Sequence, residues 1–156
     1  MKLGHQIAAL FSLIALPLAA IALDPEVLSA LKDAKANSAF EIQKLNKTCG
    51  TAMTMTIDEP SFTAAPDRVQ AAAWCGQIPS ALSLFCDKKN PSYISGTAVK
   101  VKAIACKYDP SLSTDQNNAV KFVLKDGTLT GSINKDSSNI YTNLSYDKAL
   151  LSGLKE

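Results

Sequence analysis

The chain has 156 residues, 16 Lys and Arg against 14 Asp and Glu, and one histidine. Residues 1–22 read as a secretory signal: Lys2 in a short positive start, an apolar run from Ile7 to Leu18, and Ala20-Ile21-Ala22 before the cut, with Ala20 as the second choice of site. Its removal leaves 134 residues with 15 basic and 14 acidic side chains and no imidazole, which excludes histidine triads, histidine metal centres and a neutral-pH histidine switch. A near-neutral chain with Arg68 as its only arginine also lacks the basic footprint of a nucleic-acid binder. The expected product is a secreted or periplasmic single domain, residues 23–156, with no membrane attachment once the signal is cut.

Export decides how Cys49, Cys75, Cys86 and Cys106 are read, because thiols in an oxidising compartment pair. No two of them have zinc-ligand spacing and none forms a Cys-x-x-Cys motif. Two structural disulfides are expected, and no metal or other cofactor.

In chain order, Asp24-Pro25-Glu26 supplies an N-cap acceptor, a proline at the first helical position and a first-turn acid. Val27, Leu28, Leu31, Ala34, Ala39, Ile42 and Leu45 then form one stripe at helical period, ending at Thr48-Cys49-Gly50. Phe40 falls off the stripe, which implies either a bend near Asn37-Ser38 or a contact outside the main core. Thr51–Ile57 alternates threonine with apolar residues and reads as a strand, ended by Asp58-Glu59-Pro60.

A second helical stretch runs from Pro66 or Asp67 to Cys86, with a kink or break expected around Gln77-Ile78 from Gly76 and Pro79. If it is continuous, Cys75 and Cys86 stand about 16 Å apart, beyond the ~7 Å a bridge allows. Each then pairs with Cys49 or Cys106, stapling helix to sheet, whereas a full break would readmit a Cys75–Cys86 bridge.

Thr97–Tyr108 reads as the next strand, with Val99, Val101, Ala103 and Ala105 on the apolar side and Lys100 and Lys102 opposite. Asp126-Gly127 between Val120–Leu124 and Thr128–Ile133 marks a two-residue hairpin of type I′. It pairs Lys125 with Thr128, Leu124 with Leu129, Phe122 with Gly131 and Val120 with Ile133. Lys121, Lys125, Thr128, Thr130 and Ser132 fall on the wet side, and Phe122 covers the strand glycine. Ser145–Leu154 closes the chain as a short helix burying Leu150, Leu151 and Leu154. The expected class is α+β: an antiparallel, four-stranded sheet with helices covering one face, in the order helix-strand-helix-strand-strand-strand-helix, with two disulfides.

Few residues suggest chemistry. Asp58-Glu59 is the only adjacent acidic pair, and two carboxylates are what glycan hydrolysis uses. Trp74 is either a binding anchor or, the preferred reading, packing against a disulfide. Asn46-Lys47-Thr48 and Asn143-Leu144-Ser145 match the N-glycosylation pattern, which matters only for a eukaryotic origin. Lys88, Lys89, Lys100, Lys102 and Lys107 form an interaction patch if the loop and strand lie side by side; otherwise they are solvated lysines that guard an edge strand. The favoured function is an exported, disulfide-stabilised binding protein of the inhibitor or immunity-partner type, without catalytic activity. Its partner would be another exported protein or an anionic polymer. A small secreted hydrolase using paired carboxylates on a glycan is the alternative.

Overall fold

The computed structural model describes residues 23–63, 68–89, 100–113, 118–134 and 143–155. The signal, residues 1–22, lies outside these, as do the expected start of the second helix and the first residues of the Thr97–Tyr108 strand.

Helix α1, Pro25–Cys49, is unbroken for 25 residues. The Asp24 carboxylate accepts from the Glu26 N–H at 2.8 Å, and Gly50 closes the helix in the left-handed region at φ 65°. Val27, Leu31, Ala34, Ser38 and Leu45 are buried, whereas Leu28 and Ala39 of the expected stripe are exposed. The helix is unbroken through Asn37-Ser38, and Phe40 is 66% exposed rather than buried in a contact of its own.

Strand β1, Thr54–Ile57, is shorter than expected because residues 51–53 are claimed by α1. The Asn46 side chain accepts from the Met53 N–H at 2.7 Å and the Thr51 hydroxyl at 2.9 Å, and donates to the Met53 carbonyl at 2.9 Å. After a 3₁₀ turn, Glu59–Phe62, come α2, Arg68–Cys75, and α3, Ile78–Ser83. They are separated by the expected break at Gly76-Gln77. A second 3₁₀ turn, Leu84–Cys86, leads toward β2, Ala103–Tyr108; then follow β3, Val120–Lys125, β4, Thr128–Ile133, and α4, Asn143–Lys155.

The sheet has the order β1-β2-β4-β3. It is mixed, which corrects the antiparallel expectation: β1 with β2 and β2 with β4 are parallel, and only β3 with β4 is antiparallel. The cause lies in the connections. Parallel neighbours need a crossover of a dozen or more residues, and α2–α3 between β1 and β2 is such a crossover. The hairpin, by contrast, has the expected register at every pair, with positive φ at Asp126 (51°) and Gly127 (81°). A Cβ placed on Gly131 would meet the Phe122 ring at 2.8 Å and Ile78 Cδ1 at 2.9 Å, so the glycine is where an aromatic ring and α3 both press on the sheet.

The facing of β2 is a second correction. Ile104, Cys106 and Tyr108 are buried, while Ala103 and Ala105 are only half-buried. Val101 is buried as expected, so the phase slips between it and Ile104. The Lys102 and Ala103 N–H groups both donate to the Gly127 carbonyl, at 2.7 and 3.2 Å. Two consecutive residues opposite one is a bulge-like step, and it exchanges the two faces.

The disulfides are Cys49–Cys86 and Cys75–Cys106, with Cα separations of 5.1 and 5.7 Å. Cys75 and Cys86 do each reach another element. Only one staple joins helix to sheet, however: Cys75–Cys106 ties α2 to β2, whereas Cys49–Cys86 ties the end of α1 to the turn after α3. Around them lies one core in which Leu31, Leu45, Phe62, Ile78, Leu82, Phe85, Ile104 and Leu129 are almost fully enclosed. Burying each such side chain contributes roughly 1.5–3 kcal/mol. Trp74 packs against this core while staying partly exposed. Leu150 and Leu154 of α4 join it, with Leu151 at its margin.

Candidate functional site

The two edges of the sheet are β1 and β3. Along β1 the ladder bonds identify which groups face outward. Thr54 N–H donates to the Lys102 carbonyl at 3.3 Å and Asp58 N–H to the Cys106 carbonyl at 2.8 Å. In a parallel pair alternate residues turn their backbone to the neighbour, so Thr54, Thr56 and Asp58 face β2, and Met55 and Ile57 face the open side.

A groove of about 540 Å³ runs along that side. All four β1 residues line it, which places it along the edge, since consecutive side chains alternate faces. Its other wall is α1, through Lys35, Ser38, Ala39 and Ile42, with buried Met53 at one end. The space exists because α1 presents a serine and an alanine where larger side chains would close it.

Both ends of the groove are fixed. At one, Asn46 clamps α1 to Met53; at the other, Lys35 forms an ion pair with Glu59. The Asn46 side-chain nitrogen donates to the Met53 carbonyl in a part-buried bond. Asn143 opens α4. Asp58 is exposed at the strand end, and the Glu59 carboxylate is held by Lys35. Among the described residues no three His, Cys, Asp or Glu side chains converge as a metal site.

The structure divides the expected lysine patch. Lys100 and Lys102 precede β2 and are exposed beside the hairpin turn; Lys102 Cδ would lie 3.1 Å from a Cβ at Gly127. Lys88 and Lys89, also exposed, follow Cys86, which is bonded to Cys49 at the same end of the domain. Lys107 is not with them. It lies near the other end of β2, in an ion pair with Asp109 at 3.8 Å. The Ser111 hydroxyl, which donates to the Asp109 carboxylate, is the main cause that holds it below its ordinary pKa; burial opposes this, and the Ser111 backbone N–H, Lys107 and Lys121 add to the lowering. Nor do these lysines guard an edge, since β2 is an interior strand.

Sequence reasoning missed the groove and two lysines, Lys47 and Lys125, that share the hairpin end. Ser38 and Ala39, small residues inside an otherwise apolar stripe, were the available signal for the groove. Among the described residues no helix is long and apolar enough to cross a membrane. Comparison with protein-family models, curated proteins and solved structures returned no match.

Proposed function

We propose that the protein is an exported, disulfide-braced binding protein of inhibitor or immunity type, and that it takes up an extended segment of a partner protein along the open edge of β1. The observation that carries this reading is the groove itself: a strand paired, among the described residues, on one side only, with a channel along its other side bounded by α1. The outward groups of Met55 and Ile57 repeat at the spacing of a polypeptide backbone, and strand addition would satisfy them. The wall residues Ile42, Met53 and Ala39 would receive alternate side chains of the guest. The Asn46 clamp supports the reading further, because a groove held at one end before binding spends less free energy on ordering. A carboxylate-dependent hydrolase would instead require Glu59 to leave Lys35.

The test is selection of peptides from a random displayed library against the disulfide-bonded protein, followed by hydrogen exchange. Expected are extended binders that slow amide exchange at Met55 and Ile57 and lose affinity in Met55→Pro and in Ala39→Leu, which fills the groove. Binders that leave those amides unprotected, or that tolerate both substitutions, would overturn the reading.

A further inference from the structure

Strand polarity sorts the charges. β1 runs back along α1 from the Asn46 clamp to the Lys35–Glu59 pair. The starts of β1, β2 and β4, the hairpin turn, the end of α1 and the Cys49–Cys86 bridge therefore share one end of the domain. Among the described residues that end carries Lys47, Lys88, Lys89, Lys100, Lys102 and Lys125, all exposed, against Asp87 and Asp126, a formal charge of +4. Residues 90–99, which connect Lys89 to Lys100, contain no charged side chain. The end of α1 adds the negative pole of its helix dipole, which favours cations beside it. The opposite end holds Asp24, Glu26, Asp58, Glu59 and Asp109 together with Lys35, Lys107 and Lys121, of which Lys35 is engaged by Glu59 and Lys107 by Asp109. Among the described residues, then, the uncompensated positive charge gathers at the hairpin end.

We infer that the hairpin end is a docking surface for a linear anionic polysaccharide, separate from the β1 groove. Charge complementarity selects a polyanion, and the makeup of the surface selects among polyanions. Protein interfaces are depleted in lysine and centre on aromatic or arginine anchors, and here the cations are six lysines with no arginine. Nucleic-acid surfaces combine cations with bidentate arginines, and the cations named here include none. Lysines on four chain segments are point charges on flexible stems, suited to the spaced carboxylates or sulfates of a glycan chain.

The experiment measures affinity of the disulfide-bonded protein for polygalacturonate and for dextran sulfate at low salt, with uncharged dextran as control. Two double variants, K88E/K89E and K100E/K102E, are compared with K107E/K121E, which changes the net charge by the same amount at the other end. Each of the first two is expected to lose on the order of tenfold affinity and to flatten the salt dependence, while K107E/K121E changes it less than about threefold. Unchanged melting temperatures show that the variants fold, and K88A/K89A and K100A/K102A give smaller losses in the same order. Equal losses in all three double variants, or no binding to either polymer, would overturn the inference. So would equally tight, lysine-dependent binding of oligo(dT), of vesicles containing anionic lipid or of an acidic protein. Because the peptide groove is tested through Met55 and Ile57, failure of one site leaves the other standing.

Discussion

The two edges of the sheet are treated differently. At β3, α4 closes in: Gly153 lies so near the Phe122 carbonyl that a Cβ there would overlap its backbone. The hairpin register turns the Phe122 backbone groups away from β4, so this helix covers the edge that would otherwise present them. At β1 the nearest helix stands back across a groove. An uncovered edge is a template for pairing with other chains, and folds ordinarily blunt it with charge, proline or cover. β1 is itself short, which limits such pairing, but its four residues, Thr54–Ile57, carry neither charge nor proline. The contrast singles out β1 as the edge that the proposed strand addition would use.

Four experiments would break or sharpen that contrast. Gly153→Val should strip α4 from β3, costing about 3 kcal/mol of stability and uncovering a second edge, seen as a lower denaturation midpoint and concentration-dependent association. A smaller loss, about 2 kcal/mol, is expected for Thr56→Pro, which removes an N–H facing β2. Met55→Pro, one residue away but facing outward, should cost about 1 kcal/mol or less. Equal losses at the two positions would show that β1 is not open on the Met55 side. Asn46→Ala should cost about 1.5 kcal/mol, because the Met53 N–H and carbonyl lose their partner, and it should weaken peptide binding by loosening one end of the groove. The smallest effect concerns Asp109. With its pKa depressed in the folded state, it adds stability that is present above its unfolded pKa and lost as pH falls through the folded value. Ser111→Ala should raise the Asp109 pKa in an NMR titration and shrink that acid-range loss, leaving the β1 edge untouched.

What the chain reveals in advance depends on how far apart the partners are. The hairpin is readable to the residue because Asp126-Gly127 fixes turn type and register locally. The same holds for the ends of α1, where Asp24 and Gly50 act within one turn. The direction of β2 against β1 depends on the path of α2–α3, and its facing depends on a carbonyl contributed by Gly127 some 24 residues later, which no pattern within β2 encodes. The lysine patch was half legible. Lys100 and Lys102 sit together by sequence, but Lys107 is carried by the length of β2 to the other end of the sheet, and Lys47 and Lys125 arrive from distant segments. Phe40 lies off the buried stripe, as its spacing predicts, and is mostly exposed.

The two disulfides interleave, since Cys75 lies between Cys49 and Cys86, and Cys86 between Cys75 and Cys106. A single cut by a protease anywhere between Cys49 and Cys106 therefore leaves two fragments that remain covalently joined. In an extracellular setting rich in such enzymes the domain could be nicked there without losing a piece, and the damage would show only after reduction.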